Sequence, residues 1–121
     1  MSGFPWPMIM KAYTDLVQSK KLAEILPPNS ADMYYSYDDH FTVNPTEKDY
    51  SVEIGKLPIN ADSYLIPCWS LAALLDLLPE GTNISKPTPL DNSEYCCWNQ
   101  YDEVYADNPV DACYEMIVKF K

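Results

Sequence analysis

The chain has 121 residues, 47% hydrophobic and 13% aromatic, which predicts one domain with enough apolar material for a core. Eighteen acidic residues stand against eight lysines and no arginine, a formal charge of −10. The missing guanidinium groups tell against direct nucleic-acid binding. Three glycines and no Gly-rich phosphate motif tell against a nucleotide site.

Residues 1–13 are expected to form an extended lead-in, because Pro5 and Pro7 bias their predecessors away from helix. They have neither the basic start nor the long apolar run of a secretory leader. The longest nearly apolar stretch, Leu71 to Leu78, is interrupted by Asp76 and far too short for a membrane span. A cytoplasmic protein with reduced thiols at Cys68, Cys96, Cys97 and Cys113 is the expectation.

From residue 14 a single α+β domain is predicted, an antiparallel sheet of three to five strands packed against three helices. The first helix runs from about Thr14, its cap, to Leu26. Leu16, Leu22, Ala23, Ile25 and Leu26 form its buried stripe, and Pro27-Pro28 stops it. Met33, Tyr35 and Tyr37 alternate with polar positions and read as a strand, which Phe41-Thr42-Val43 extends. Tyr50, Val52 and Ile54 alternate in the same way, and Tyr64-Leu65-Ile66 reads as a short strand. Ser70 caps a second helix over Leu71–Leu78, apolar all round except at Asp76 and so expected to be the most buried element. Residues 82–92 read as loop, Glu94–Tyr101 as a strand and Asp102–Asn108 as an acidic connection. Asn108 then caps a third helix with Pro109 in its first turn and Asp111 three past the cap. Its core face is Val110, Cys113, Tyr114 and Ile117, and Glu115 and Lys119 are spaced to pair on the wet side.

Several residue groups have the types that chemistry uses. Cys68 precedes a helix start, and with His40 as base and Asp38 or Asp39 as orienter it composes a thiol hydrolase. The cysteines lack paired zinc spacing, and Asp102, Glu103, Asp107, Asn108 and Asp111 lack the glycine and ligand alternation of a calcium loop. No metal or other cofactor is therefore expected. Most tyrosines fall on core stripes, and Tyr34 is the one expected at an exposed aromatic patch. Charge is unevenly spread: residues 31–118 carry a net −13, residues 1–30 a net +1, and Lys119 and Lys121 add two positive charges.

Three segments carry a resemblance. They are Gln18-Ser19-Lys20-Lys21-Leu22-Ala23-Glu24-Ile25-Leu26-Pro27 with Ser30-Ala31-Asp32-Met33; Pro67-Cys68-Trp69-Ser70-Leu71 with Leu74-Leu75-Asp76-Leu77-Leu78-Pro79; and Asp111-Ala112-Cys113-Tyr114-Glu115-Met116. Together they resemble small proteins of prophages and mobile elements of gut anaerobic bacteria, a group without an assigned activity. The resemblance implies a bacterial cytosolic or phage-associated origin and an accessory role.

The expectation is a non-catalytic interaction protein that meets a basic protein partner through an acidic surface at Asp102, Glu103 and Asp107. One alternative is a nucleic-acid mimic that inhibits a DNA-binding protein, which requires a contiguous carboxylate face. The other is the Cys68–His40 hydrolase. Edge pairing of a small sheet would make a homo-oligomer.

Overall fold

The computed structural model describes residues 11–36, 50–58, 65–86 and 94–120. Residues 1–10 of the expected lead-in lie outside the described residues, and Tyr13 forms an antiparallel bridge to Ser70. Helix α1 follows at Leu16–Ile25. After a short 3-10 turn at Pro28–Ser30 come strands β1 (Met33–Ser36), β2 (Ser51–Ile54) and β3 (Ile66–Cys68), then α2 (Leu71–Leu77). Strands β4 (Asn83–Ser85), β5 (Tyr95–Trp98) and β6 (Glu103–Ala106) lead into α3 (Pro109–Phe120).

The class is α+β, with three helices and antiparallel strand pairing throughout the described residues. The strands divide between two three-stranded sheets, in the orders β2-β1-β3 and β4-β5-β6. Two elements come from segments that read as loop and acidic connection, β4 and β6. Both are short, and β6 alternates inward Val104 and Ala106 with exposed Glu103 and Tyr105.

α3 joins the second sheet to the helical layer. Val110, Cys113 and Ile117 face a cluster formed with Leu22 and Leu26 of the first helical segment, Trp69, and Leu74 of α2. Ala112 and Met116, on an adjoining stripe, pack against Cys97 of β5, with Val104 and Ala106 of β6 at the margin. α1 bridges to the other sheet, because Leu16 joins Tyr35 and Cys68 in a third cluster. Tyr35 there meets Tyr13 and Tyr50 edge to face, at ring centroid separations of 6.4 and 6.3 Å.

Four local expectations change. Asp15, not Thr14, caps α1: its carboxylate accepts from the Gln18 amide at 2.8 Å, and the Gln18 side chain accepts from the Asp15 amide at 3.1 Å. That reciprocal pair satisfies two helix-start donors, which frees Thr14 to turn inward. Ala23 is exposed and Ser19 takes the buried place, held by Thr14 Oγ1 at 2.7 Å. α2 is capped by Ser70 as its sequence indicates, yet only Leu74 is fully buried, and α3 is the most buried helix. Lys119 reaches Asp102 at 3.3 Å rather than Glu115. Tyr37, Phe41-Thr42-Val43 and Tyr64 lie outside the described residues. Among those described, no helix is long and apolar enough to cross a membrane.

Candidate functional site

The expected acidic surface at Asp102, Glu103 and Asp107 is rearranged by the fold. Glu103 and Asp107 stand at the two ends of β6 and line one open groove of about 600 Å³. Asp102 does not line it and instead receives the Lys119 ammonium. The opposite wall comes from the wet side of α3, where Asp111 and Glu115 lie one turn apart. Glu94, just before β5, completes the lining carboxylates. Glu94 and Glu115 are distant from Glu103 in sequence, and only the packing of α3 on the second sheet brings them together.

One of the five differs in state. Asp111 is locked into a network that fastens the start of α3 to the start of α1. Lys11 Nζ donates to it at 2.8 Å and Gln18 Nε2 at 2.8 Å. Asn108 Nδ2 donates at 2.9 Å, while the Asp111 amide donates back to Asn108 Oδ1 at 2.8 Å. Lys11 also pairs with Asp15 at 2.9 Å. Partial burial pulls the Asp111 carboxyl upward, but the Lys11, Gln18 and Asn108 bonds outweigh it and hold the carboxyl below its ordinary range. Lys11 is likewise pulled down by burial and held above its ordinary range by the two aspartates. By contrast Glu94, Glu103, Asp107 and Glu115 have no ion-pair partner among the described residues, so their charge faces the groove uncompensated.

The network gives stability a defined acid limb. A carboxyl depressed in the folded chain contributes fully above its unfolded value near ~3.9, and the contribution disappears as pH falls through the folded value. Lys11, raised on folding, loses its share only as pH rises through its folded value, above ~10.4. The expected result is a wild-type melting temperature above that of Asp111→Asn at pH 6, with the gap narrowing as pH falls below ~3.9. A gap that stays constant over that range contradicts the assignment.

The groove does not resemble a metal site. Among the described residues no three His, Cys, Asp or Glu side chains converge closely enough to hold an ion. Its carboxylates are spread along two walls, a spacing that suits an extended cation rather than a point charge.

The thiols are placed differently from a reactive site. Cys68 is fully buried on β3, and its Sγ lies 3.5 Å from the Thr14 carbonyl to which it donates. Burial pushes the Cys68 thiol up despite hydrogen bonds to Thr14, Ser19 and Tyr35, so it is neutral near pH 7. Cys97 and Cys113 meet between β5 and α3, and their mutual hydrogen bond together with burial pushes the Cys113 thiol up. His40, Asp38 and Asp39 lie outside the described residues.

The exposed aromatics are not where the strand pattern placed them. Tyr34 is half-buried, whereas Tyr101 is 74% exposed, Tyr105 56% and Trp98 41%. All three belong to the β5–β6 hairpin. The signal was the alternation Cys97 inward, Trp98 outward, continued across the turn to Glu103 and Tyr105. Compared with protein families, curated proteins and solved structures, the chain finds no match in any of the three.

Proposed function

We propose that this is a non-catalytic binding protein that takes a positively charged, extended segment of a protein partner into the groove between β6 and α3. The observation that carries the reading is the gathering of Glu94, Glu103, Asp107 and Glu115, none paired with a cation among the described residues, around one open groove. Bringing like charges together costs free energy in the isolated fold, and a cationic segment relieves it while gaining attraction and association rate. The buried, neutral Cys68 supports binding over thiol chemistry.

The test is binding of a hexalysine peptide at low ionic strength. The triple variant Glu103→Gln, Asp107→Asn, Glu115→Gln is expected to bind about tenfold more weakly, from roughly half a kcal/mol per exposed charge. A control that removes three acids elsewhere, Glu24→Gln, Glu53→Gln, Asp76→Asn, should change affinity less than about twofold. Equal losses in the two triples would show a general charge effect and defeat the groove. The same carboxylate lining also supports the reading as a nucleic-acid mimic, which requires a contiguous carboxylate face. If the partner is a DNA-binding protein, duplex DNA will displace it from the groove.

A further inference from the structure

A second concavity opens beside the groove. Trp98, Asn99, Gln100 and Tyr101, from the β5–β6 turn, face Pro79 and Glu80 of the turn after α2 across a cleft of about 340 Å³. The Pro79–Thr82 turn is closed by the Thr82 amide donating to the Pro79 carbonyl at 3.2 Å, with Gly81 at φ +84°, a left-handed geometry that glycine adopts without strain. Asn99 fixes the facing turn. Its Oδ1 accepts from the Tyr101 and Asp102 amides at 2.8 and 3.0 Å, and its Nδ2 donates to Thr82 Oγ1 at 3.3 Å. Trp98 is held by its own Nε1–H, which donates to Ser85 Oγ at 3.0 Å. Both walls are therefore ordered before anything binds, while two large aromatic rings stay exposed to water.

We propose that this cleft is an arginine-anchoring pocket, taking the guanidinium of one arginine in the cationic segment assigned to the groove, and it rests on that assignment. Two aromatic side chains attract a cation through their ring faces. Glu80 supplies the carboxylate and Gln100 an amide, neither with a hydrogen-bond partner among the described residues, and no lysine lines the cleft. A guanidinium suits this lining better than an ammonium: it is planar, weakly hydrated, stacks on aromatic faces and presents a fork to a carboxylate. Trp98, which lines the cleft, is paired in register with Glu103, which lines the groove, so one strand pair links the two linings.

Hexa-arginine and hexalysine carry equal charge, and comparing them isolates the cleft. Wild type is expected to bind hexa-arginine about fivefold more tightly, the gain of one cation–ring contact. Trp98→Ala and, separately, Tyr101→Ala should erase that preference and leave hexalysine binding unchanged. Both side chains are exposed, and two independent variants keep the test open should either one fold poorly. Equal affinity of wild type for the two peptides overturns the pocket but leaves the groove standing. So does a preference that survives both variants, or a loss that falls equally on both peptides. Failure of both peptides to bind overturns pocket and groove together.

Discussion

Replacing Trp69 by Ala is expected to destabilise the chain by about 3–5 kcal/mol, the range for a large aromatic removed from a closed core. Trp69 has no exposed surface and packs among Leu22, Leu26, Leu74, Val110, Cys113 and Ile117, where α1, α2 and α3 converge. Its Nε1–H donates to Ser30 Oγ at 3.0 Å, so the truncation also removes the hydrogen bond that ties the core to the 3-10 turn. The flanking backbone is engaged as well, the Trp69 carbonyl accepting from the Thr14 amide at 2.9 Å. Collapse around the gap is therefore resisted on both sides. In a domain of this size the loss lowers the melting temperature by roughly 12–20 °C. Tyr101→Ala serves as the internal comparison, a change at a side chain 74% exposed and expected to stay within about 0.5 kcal/mol. Thermal melts of the two variants side by side give the check; similar shifts would mean that the core is not organised around Trp69.

The second large effect is expected from Thr14→Val, which keeps side-chain shape and removes one oxygen. Thr14 Oγ1 accepts from the Trp69 amide at 3.2 Å, lies 2.7 Å from Ser19 Oγ and 3.7 Å from Cys68 Sγ, all without exposure to water. The Thr14 carbonyl meanwhile accepts from the Tyr35 hydroxyl at 2.7 Å. Valine leaves the Trp69 amide and the Ser19 hydroxyl buried without this partner, at a cost of about 2–3 kcal/mol. Combining it with Ser19→Ala should cost less than the two single changes added together, because the double variant leaves fewer stranded polar groups. Denaturant unfolding of the four-member cycle measures the coupling. Strict additivity would show that the two hydroxyls do not act as a unit.

The pair Thr14 and Ser19 also marks where reading the sequence reaches its limit. A polar residue within a helical stripe ordinarily signals the wet face, and here it signals a buried partner supplied by the turn before the helix. Ala23, apolar and in phase with Leu16 and Leu26, is nevertheless exposed. Cap residues with an unambiguous local chemistry were legible: Ser70 before α2, and Asn108-Pro109 with Asp111 at the start of α3. β4 and β6 were not, since three or four residues provide almost no periodicity, and β6 alternates small Ala106 with charged Glu103 in a stretch dominated by acids. Of the groove, Glu103 and Asp107 were visible as neighbours in the chain. Glu94 and Glu115 enter through tertiary packing, which no local pattern records. The aromatic cleft escaped for the same reason: its walls are two turns brought together by the β4–β5 pairing and the Asn99–Thr82 contact.

α3 presents one stripe to the helical layer and an adjoining stripe to the second sheet. Neither layer can leave without uncovering it. Peeling away β4–β6 exposes Ala112 and Met116; withdrawing α1 and α2 exposes Val110, Cys113 and Ile117. Opening either side thus strips the same twelve-residue helix of part of its seat. Among the described residues the second sheet and the helical layer share this helix, so these two layers are expected to unfold together.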